Sequence, residues 1–325
     1  MPMGDDITCW LLDTRSLWKG ASEELRLVSP DERDSICRKM QLQDAKMSLA
    51  SALLKRAFIS KTFRVPWTSI RFGRKGDPIH GKPCYIFPNG SIASVDFNVS
   101  HQAGLVALVG TRKKSVEVGV DITCVNERND YRHIDEEGFD GFVDIYEEVF
   151  SQAELWDIKY NIESVTLLDG TEVSAEELGR HDRICRRNRD VQVTLKNGRT
   201  EQISSELIID AKLRRFYAFY AYKEAYIKLV GEGLLATWLK ALEFKNVRAP
   251  KPGTVMRCST YGTWGEKVDD AEAWLKGRRV DDVRLWIQGL EEDVLIATAV
   301  RGASGALPDF QRVDLNQDIL RLARK

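Results

Sequence analysis

Phe97-Asn98-Val99-Ser100-His101, Val118-Gly119-Val120-Asp121-Ile122 and, much further on, Lys223-Glu224-Ala225-Tyr226-Ile227-Lys228 decide how this chain folds and what it can hold. The first two read as strands. Val116, Val118 and Val120 alternate with Glu117, Gly119 and Asp121, and Gly119 leaves room for a close backbone or ligand. The third reads as helix, where Glu224 and Lys228, four apart, share one face. Phe216, Phe219, Tyr220, Tyr222 and Tyr226 make that helix unusually aromatic. It is therefore expected to be largely buried, and charged groups on it need partners. A metal-bound phosphate satisfies both charges. Magnesium is typically held by one or two carboxylates plus phosphate oxygens and water, and Asp121 and Glu224 are the candidate pair. Ser100 and His101 close the first strand, just before the turn Gln102-Ala103-Gly104, where both side chains suit phosphate hydrogen bonds. Together these parts can hold a magnesium pyrophosphate and transfer a group from it.

Outward from these stretches, 325 residues make one large domain or two ordinary ones, and 43% apolar residues can bury a sizeable core. A formal net charge of −1 gives no global attraction to nucleic acid or to an anionic membrane, so a charged ligand has to be held by local clusters. No apolar run approaches the roughly 20 residues that span a bilayer. The start of the chain, with Asp5 and Asp6, does not read as a signal peptide. Cys9, Cys37, Cys84, Cys124, Cys185 and Cys258 are scattered singly, without the close pairs of a zinc or redox motif. Reduced thiols in a cytoplasmic protein are expected.

Cys9 to Leu12 reads as an opening strand. Ser29-Pro30-Asp31-Glu32 has the pattern of a helix start, and Met47, Ala50, Leu53, Leu54, Ala57 and Phe58 predict a helix over Ala45 to Phe63. Strands are predicted at Ile70 to Gly73, Val95 to Val99, Gly104 to Gly110 and Val116 to Ile122. The polar break Thr111-Arg112-Lys113-Lys114-Ser115 divides the chain into halves 1–115 and 116–325. Helices follow around Gly141 to Phe150, Ser151 to Lys159 and Leu213 to Leu229, then strands at Leu242 to Val247, Val283 to Gln288 and Val294 to Ala299. Between Asn161 and Asp210 the character changes. Asp169-Gly170 and Asn197-Gly198 are hairpin-turn dipeptides, Val191 to Leu195 alternates, and Arg183, Arg186, Arg187 and Arg189 cluster. This stretch reads as an insertion, either a solvated elaboration or a docking surface for an acidic partner.

In its ordered motifs the chain resembles the 4′-phosphopantetheinyl transferases of the Sfp type, and within them the fungal enzymes. The motifs are Ser29-Pro30…Arg33, Asp44-Ala45…Ser48-Leu49-Ala50, Gly81-Lys82-Pro83-Cys84, Phe97 to His101, Val118 to Ile122, Phe150-Ser151…Glu154 and Lys223 to Lys228. The resemblance implies an α+β fold, a pseudo-dimer of two similar α/β halves with the active site in the cleft between them. It implies transfer of the phosphopantetheine arm of coenzyme A to a serine of an apo acyl or peptidyl carrier protein, with release of 3′,5′-ADP. Carried over, Asp121 and Glu224 look like ligands of Mg²⁺, or of Mn²⁺. Lys228 looks like the pyrophosphate-stabilising lysine, and Ser100 and His101 like coenzyme A phosphate contacts. Lys82 looks like the lysine beside the adenine and 3′-phosphate. Glu154 falls where the family has a glutamate proposed to deprotonate the carrier serine, and Glu224 competes for that role. Thr123 stands where many bacterial members have a third acidic ligand, and Tyr220 where the family often has Trp. Glu32 and Ser35 replace lysines that some relatives bring to the 3′-phosphate, with Arg33, Arg38 or Lys39 as substitutes. A monomer suffices, since one chain carries both sides of the site. Polyketide synthases, nonribosomal peptide synthetases and aminoadipate reductase are the expected kinds of carrier. A non-catalytic coenzyme A or carrier-binding module and a metal-dependent phosphohydrolase are the competing readings.

Overall fold

The computed structural model of the chain describes residues 7–20, 23–77, 81–126, 129–232, 236–254 and 261–324. Asp5, Asp6 and Cys258 lie outside them. The chain first forms β1 (Ile7–Asp13), α1 (Pro30–Cys37), α2 (Leu42–Phe63), β2 (Arg71–Lys75), β3 (Lys82–Ile86), β4 (Asp96–Gln102) and β5 (Leu105–Thr111). After the polar break come β6 (Glu117–Cys124), α3 (Asp130–Asp144), α4 (Gln152–Tyr160), β7 (Ser164–Thr166), β8 (Glu172–Ser174), α5 (Ala175–Leu178), β9 (Asp190–Thr194), β10 (Thr200–Ser204) and α6 (Ser205–Val230). The remainder is β11 (Leu242–Lys245), β12 (Trp264–Val268), β13 (Glu272–Leu275), β14 (Arg278–Arg279), β15 (Val283–Leu290), β16 (Val294–Arg301), β17 (Gln311–Arg312) and α7 (Arg321–Ala323). The fold is mixed α and β, with several small sheets around two of four strands, β17-β1-β5-β4 and β12-β15-β16-β6.

Strand alternation builds the layers. In the first sheet Trp10, Leu12, Phe97, Val106 and Leu108 pack with Leu49, Leu53 and Phe58 of α2. The intervening residues Cys9, Leu11, Leu105, Ala107 and Val109 pack with Val118, Val120, Ile122, Trp286 and Ile296 of the second sheet. The second sheet turns Leu285, Ile287, Leu295 and Ala297 toward Phe216, Phe219 and Ala225 of α6. The order is therefore helix, sheet, sheet, helix, with apolar contacts across each boundary.

Several boundaries differ from expectation. α6 begins at Ser205, because Ser204 caps it by accepting from the Glu206 N–H and because Leu207, Ile208 and Ile209 are buried. The excursion therefore closes at Ser204 rather than at Asp210. The helix expected over Gly141 to Phe150 lies mostly upstream, in α3, which breaks at Gly138 (φ 78°) and gives way to turns after Asp144. The excursion forms the two hairpins its turn dipeptides predict, with Gly170 at φ 86° and Gly198 at φ 81°. It is not only a solvated elaboration: Val165, Val173, Val193 and Ile203 are buried in the core that holds α6.

Candidate functional site

α6 crosses β6 where Gly119 has no side chain. A Cβ there would run into the Ala225 carbonyl and the Leu229 backbone. This close approach sets Asp121, two residues along β6, against the far half of α6. Lys228 Nζ donates to Asp121 Oδ1 at 2.6 Å and to Ser100 Oγ at 2.9 Å, and lies 4.0 Å from Glu224 Oε2. Ser100 Oγ donates to Asp121 Oδ1 at 3.0 Å and accepts from the Ile122 N–H at 3.2 Å. With the bond from Lys228, its proton and both lone pairs are used. Thr123 Oγ1 donates to Asp121 Oδ2 at 2.6 Å. The Asp121 and Glu224 side chains are 6% and 12% exposed, while Lys228 is 27% exposed, so the cluster opens to solvent at its lysine end.

Oxygen donors of this kind suit a hard divalent cation. The Lys228 ammonium already stands as a cation between the two carboxylates, which shows that the space accepts positive charge. Among the described residues no three His, Cys, Asp or Glu side chains converge. Asp121 and Glu224 could offer two carboxylates to such an ion, whose other ligands would be phosphate oxygens and water.

β4 continues through Ser100 and His101 to Gln102, and the turn falls on Ala103 (φ 52°) and Gly104 (φ 78°). His101 is exposed beside the cluster. Partial desolvation and the positive charges of Lys228 and Lys39 hold its imidazole below the ordinary pKa. The charge of Lys39 brings the end of α1 into the same field, with exposed Arg38 as the cap residue of that helix. Cationic groups thus flank the open side of the carboxylate pair.

Two expected site residues are not brought into this cluster. Lys82 is buried on β3, its ammonium bonded to Asp96 and donating to the carbonyls of Val118 (2.6 Å) and Leu229 (3.4 Å). Burial lowers its pKa, opposed by Asp96. Glu154, 2% exposed, is the third residue of α4 and completes a capping box with Ser151. Its Oε2 accepts from the Ser151 N–H (2.9 Å) and pairs with Lys223 (2.9 Å), while its Oε1 accepts from the Phe244 N–H (2.8 Å). Burial raises the Glu154 pKa and lowers that of Lys223. Lys223 projects from a different face of α6 than Glu224 and Lys228.

Sequence reading missed Asp96, Asn98 and Gln102, whose side chains meet β6 beside Ser100. Their signal was the polar alternation along β4, which reads equally well as a solvated strand face. A cavity of about 540 Å³ opens elsewhere, between the excursion and the first turns of α6, lined by Tyr131, Glu163, Asp210 and Arg214 among others. None of the expected site residues lines it.

Residues 15–113 match the family model described as 4′-phosphopantetheinyl transferase, N-terminal. A protein of Aureobasidium melanogenum named 4′-phosphopantetheinyl transferase is 56% identical over 98% of this chain and 97% of its own length. The 4′-phosphopantetheinyl transferase NpgA of Emericella nidulans is 35% identical over 96% of this chain and 93% of its own. The L-aminoadipate-semialdehyde dehydrogenase-phosphopantetheinyl transferase of Mus musculus is 32% identical over 34% of each chain.

Proposed function

This chain belongs to the 4′-phosphopantetheinyl transferases, and from that membership we propose how its site works. The enzyme moves the 4′-phosphopantetheine arm of coenzyme A onto a serine of an apo carrier protein and releases 3′,5′-ADP. Coenzyme A lies across the meeting of β4 and β6. Its pyrophosphate reaches Lys228 and Ser100, and its outer phosphate reaches His101, Lys39 and Arg38. The observation that carries this reading is the junction of Ser100, Asp121 and Lys228, drawn from three separated stretches of chain.

Asp121 and Glu224 would hold Mg²⁺, or Mn²⁺ in its place. Such an ion neutralises charge on a pyrophosphate leaving group. The chain's own residues do the rest. The carrier serine oxygen bonds to the phosphorus of the phosphopantetheine group, and the bond from that phosphorus to the 3′,5′-ADP oxygen breaks. Lys228 stabilises the charge left on the departing phosphate. The hydroxyl proton needs a base as the oxygen attacks. Glu224 is the carboxylate in the cluster for that task, and the full set of partners on Glu154 supports a structural role for Glu154 instead.

The two halves, 1–115 and 116–325 with an insertion that closes at Ser204, form a pseudo-dimer around the cleft. The layering of α2 over one sheet and α6 over the other supports this. Both sides of the site come from one chain, which supports action as a monomer. Among the described residues no helix is long and apolar enough to cross a membrane, and five cysteines are free thiols. The free thiols support a cytoplasmic setting. The carriers are those of polyketide synthases, nonribosomal peptide synthetases and aminoadipate reductase, in secondary metabolism, siderophore assembly and lysine formation.

Product analysis separates the readings. After incubation with coenzyme A, Mg²⁺ and apo carrier, transfer yields 3′,5′-ADP in step with modified carrier. Free 4′-phosphopantetheine without modified carrier would mean hydrolysis, and intact coenzyme A would mean a binding module.

A further inference from the structure

The two four-stranded sheets meet along β4 and β6, the edge strands of each, and a row of side chains joins them. The Val118 N–H donates to Asp96 Oδ2 at 2.8 Å, and the Val120 N–H to Asn98 Oδ1 at 3.2 Å. The Ile122 N–H donates to Ser100 Oγ and the Cys124 N–H to Gln102 Oε1, both at 3.2 Å. Each acceptor stands 22 residues before its donor, so β4 and β6 run parallel and in register. Every second side chain of β4 thus replaces a backbone carbonyl in satisfying an edge N–H of β6. Lys82 clamps the first rung, because its ammonium holds Asp96, the Val118 carbonyl and the Leu229 carbonyl near the end of α6.

Ser100 is at once a rung of this ladder and the hydroxyl that touches Asp121 and Lys228. The register of the seam and the geometry of the carboxylate cluster are therefore one quantity. We propose that Asn98 is a positioning residue for the transfer reaction, acting through the backbone of Val120, the residue before Asp121. This rests on the reading of the site given above. Asn98 is 6% exposed. Removing its acceptor leaves the Val120 N–H unpaired in the seam, a costly state that β6 can relieve only by moving or by drawing in water. Either response moves Asp121 relative to Ser100 and Lys228.

The test compares wild type, Asn98→Leu and Asn98→Ser in full-length protein. Leu keeps the size of the side chain but removes the acceptor. Ser keeps an acceptor, since the hydroxyl of Ser100 already spans the same gap one rung on. Rates are normalised to the folded fraction measured by circular dichroism. A misplacement of about 1 Å can cost on the order of 100-fold, so Asn98→Leu is expected to lower kcat about 10- to 100-fold with KM for coenzyme A changed less than about 3-fold. Asn98→Ser is expected to recover most of that loss. An unchanged kcat per folded molecule with a lower Tm would make Asn98 structural only and overturn the inference, as would a Ser variant no better than Leu. If Asn98→Leu does not fold, Gln102→Leu at the half-buried outer rung takes its place, with a kcat fall of about 3-fold expected by the same argument and an unchanged kcat overturning it. A wild-type protein that transfers no arm would overturn the reading of the site itself.

Discussion

Asp121 shows how a side chain is fixed by its neighbours. Its two carboxylate oxygens receive Lys228, Ser100 and Thr123, so it is held in one orientation from three sides. Glu154 has as many partners but a different consequence, because its partners are the cap of its own helix, a backbone N–H and a buried lysine. Breaking a buried ion pair typically costs about 3–5 kcal/mol, so Glu154→Gln is expected to lower stability by that order in chemical denaturation. At low temperature kcat per folded molecule should stay within about 5-fold of wild type, well short of the 10²-fold or more expected for loss of a general base. A loss of that larger size in a folded variant would return Glu154 to the role of base.

Lys212 gives a test by pH. It is fully buried with no hydrogen-bond partner for its ammonium among the described residues, and burial lowers its pKa to about 8. The folded pKa lies below the unfolded one, so the folded state disfavours the charged form. The resulting penalty is complete below about pH 8 and fades as pH rises toward the unfolded value near 10.4. Lys212→Met is expected to gain stability over wild type at pH 7, by about 1–3 kcal/mol, with the gain shrinking by pH 10. A gain that does not change with pH would mean that Lys212 is not the titrating group.

Among the elements, the crossing of α6 over β6 matters most. Gly119 allows it, and overpacking such a contact typically costs about 1–3 kcal/mol. Gly119→Ala is expected to lose about that much in Tm-based stability and to lower kcat at least 100-fold by displacing Asp121 from Lys228. The sequence showed part of this: Gly119, alternating with valines before an aspartate, marks a close approach of backbone or ligand, but not that α6 makes it. The start of α6 was not legible, because Ile208-Ile209 are β-branched and follow a hairpin, so their local preference resembles that of a strand. The displacement of α3 has a similar source. Its glycine-broken, acidic first turns hide the periodicity, and Phe139, Phe142 and Val143 become recognisable as core only against α6. In the excursion Arg183, Arg186 and Arg189 are exposed, whereas Arg187 pairs with Asp135 and lies over the Tyr131 ring. Reversing the three exposed charges is expected to raise KM for an acidic carrier about 3- to 10-fold and leave KM for coenzyme A unchanged. No change in either would remove the cluster from the carrier interface.

For the whole molecule, the chain closes on itself. β17 pairs in parallel with β1, and Leu315, Ile319 and Leu320 join the core under α2. Residues 311–323 therefore pack with the first sheet, across the division read at 115. No local pattern announces this, since β17 has only two residues and its pairing is decided by the far end of the chain. Arg15 adds a second tie, its guanidinium bridging Asp13 beside it and Glu291 in the turn between β15 and β16. The residues of the carboxylate cluster were readable because their chemistry repeats a recognisable order. The ladder that aligns them was not, because a polar strand face looks the same whether it meets water or another strand.

The most direct test is the intact mass of an apo carrier protein after incubation with coenzyme A, Mg²⁺ and this enzyme, with Glu224→Gln and Asp121→Asn alongside. Wild type should add about 340 Da, the mass of the phosphopantetheine arm carried by such a transfer, and both variants should leave the carrier unmodified while retaining their fold. An unmodified carrier with wild type, or full modification by either variant, would contradict the assignment of the Asp121, Glu224 and Lys228 cluster as the centre of transfer.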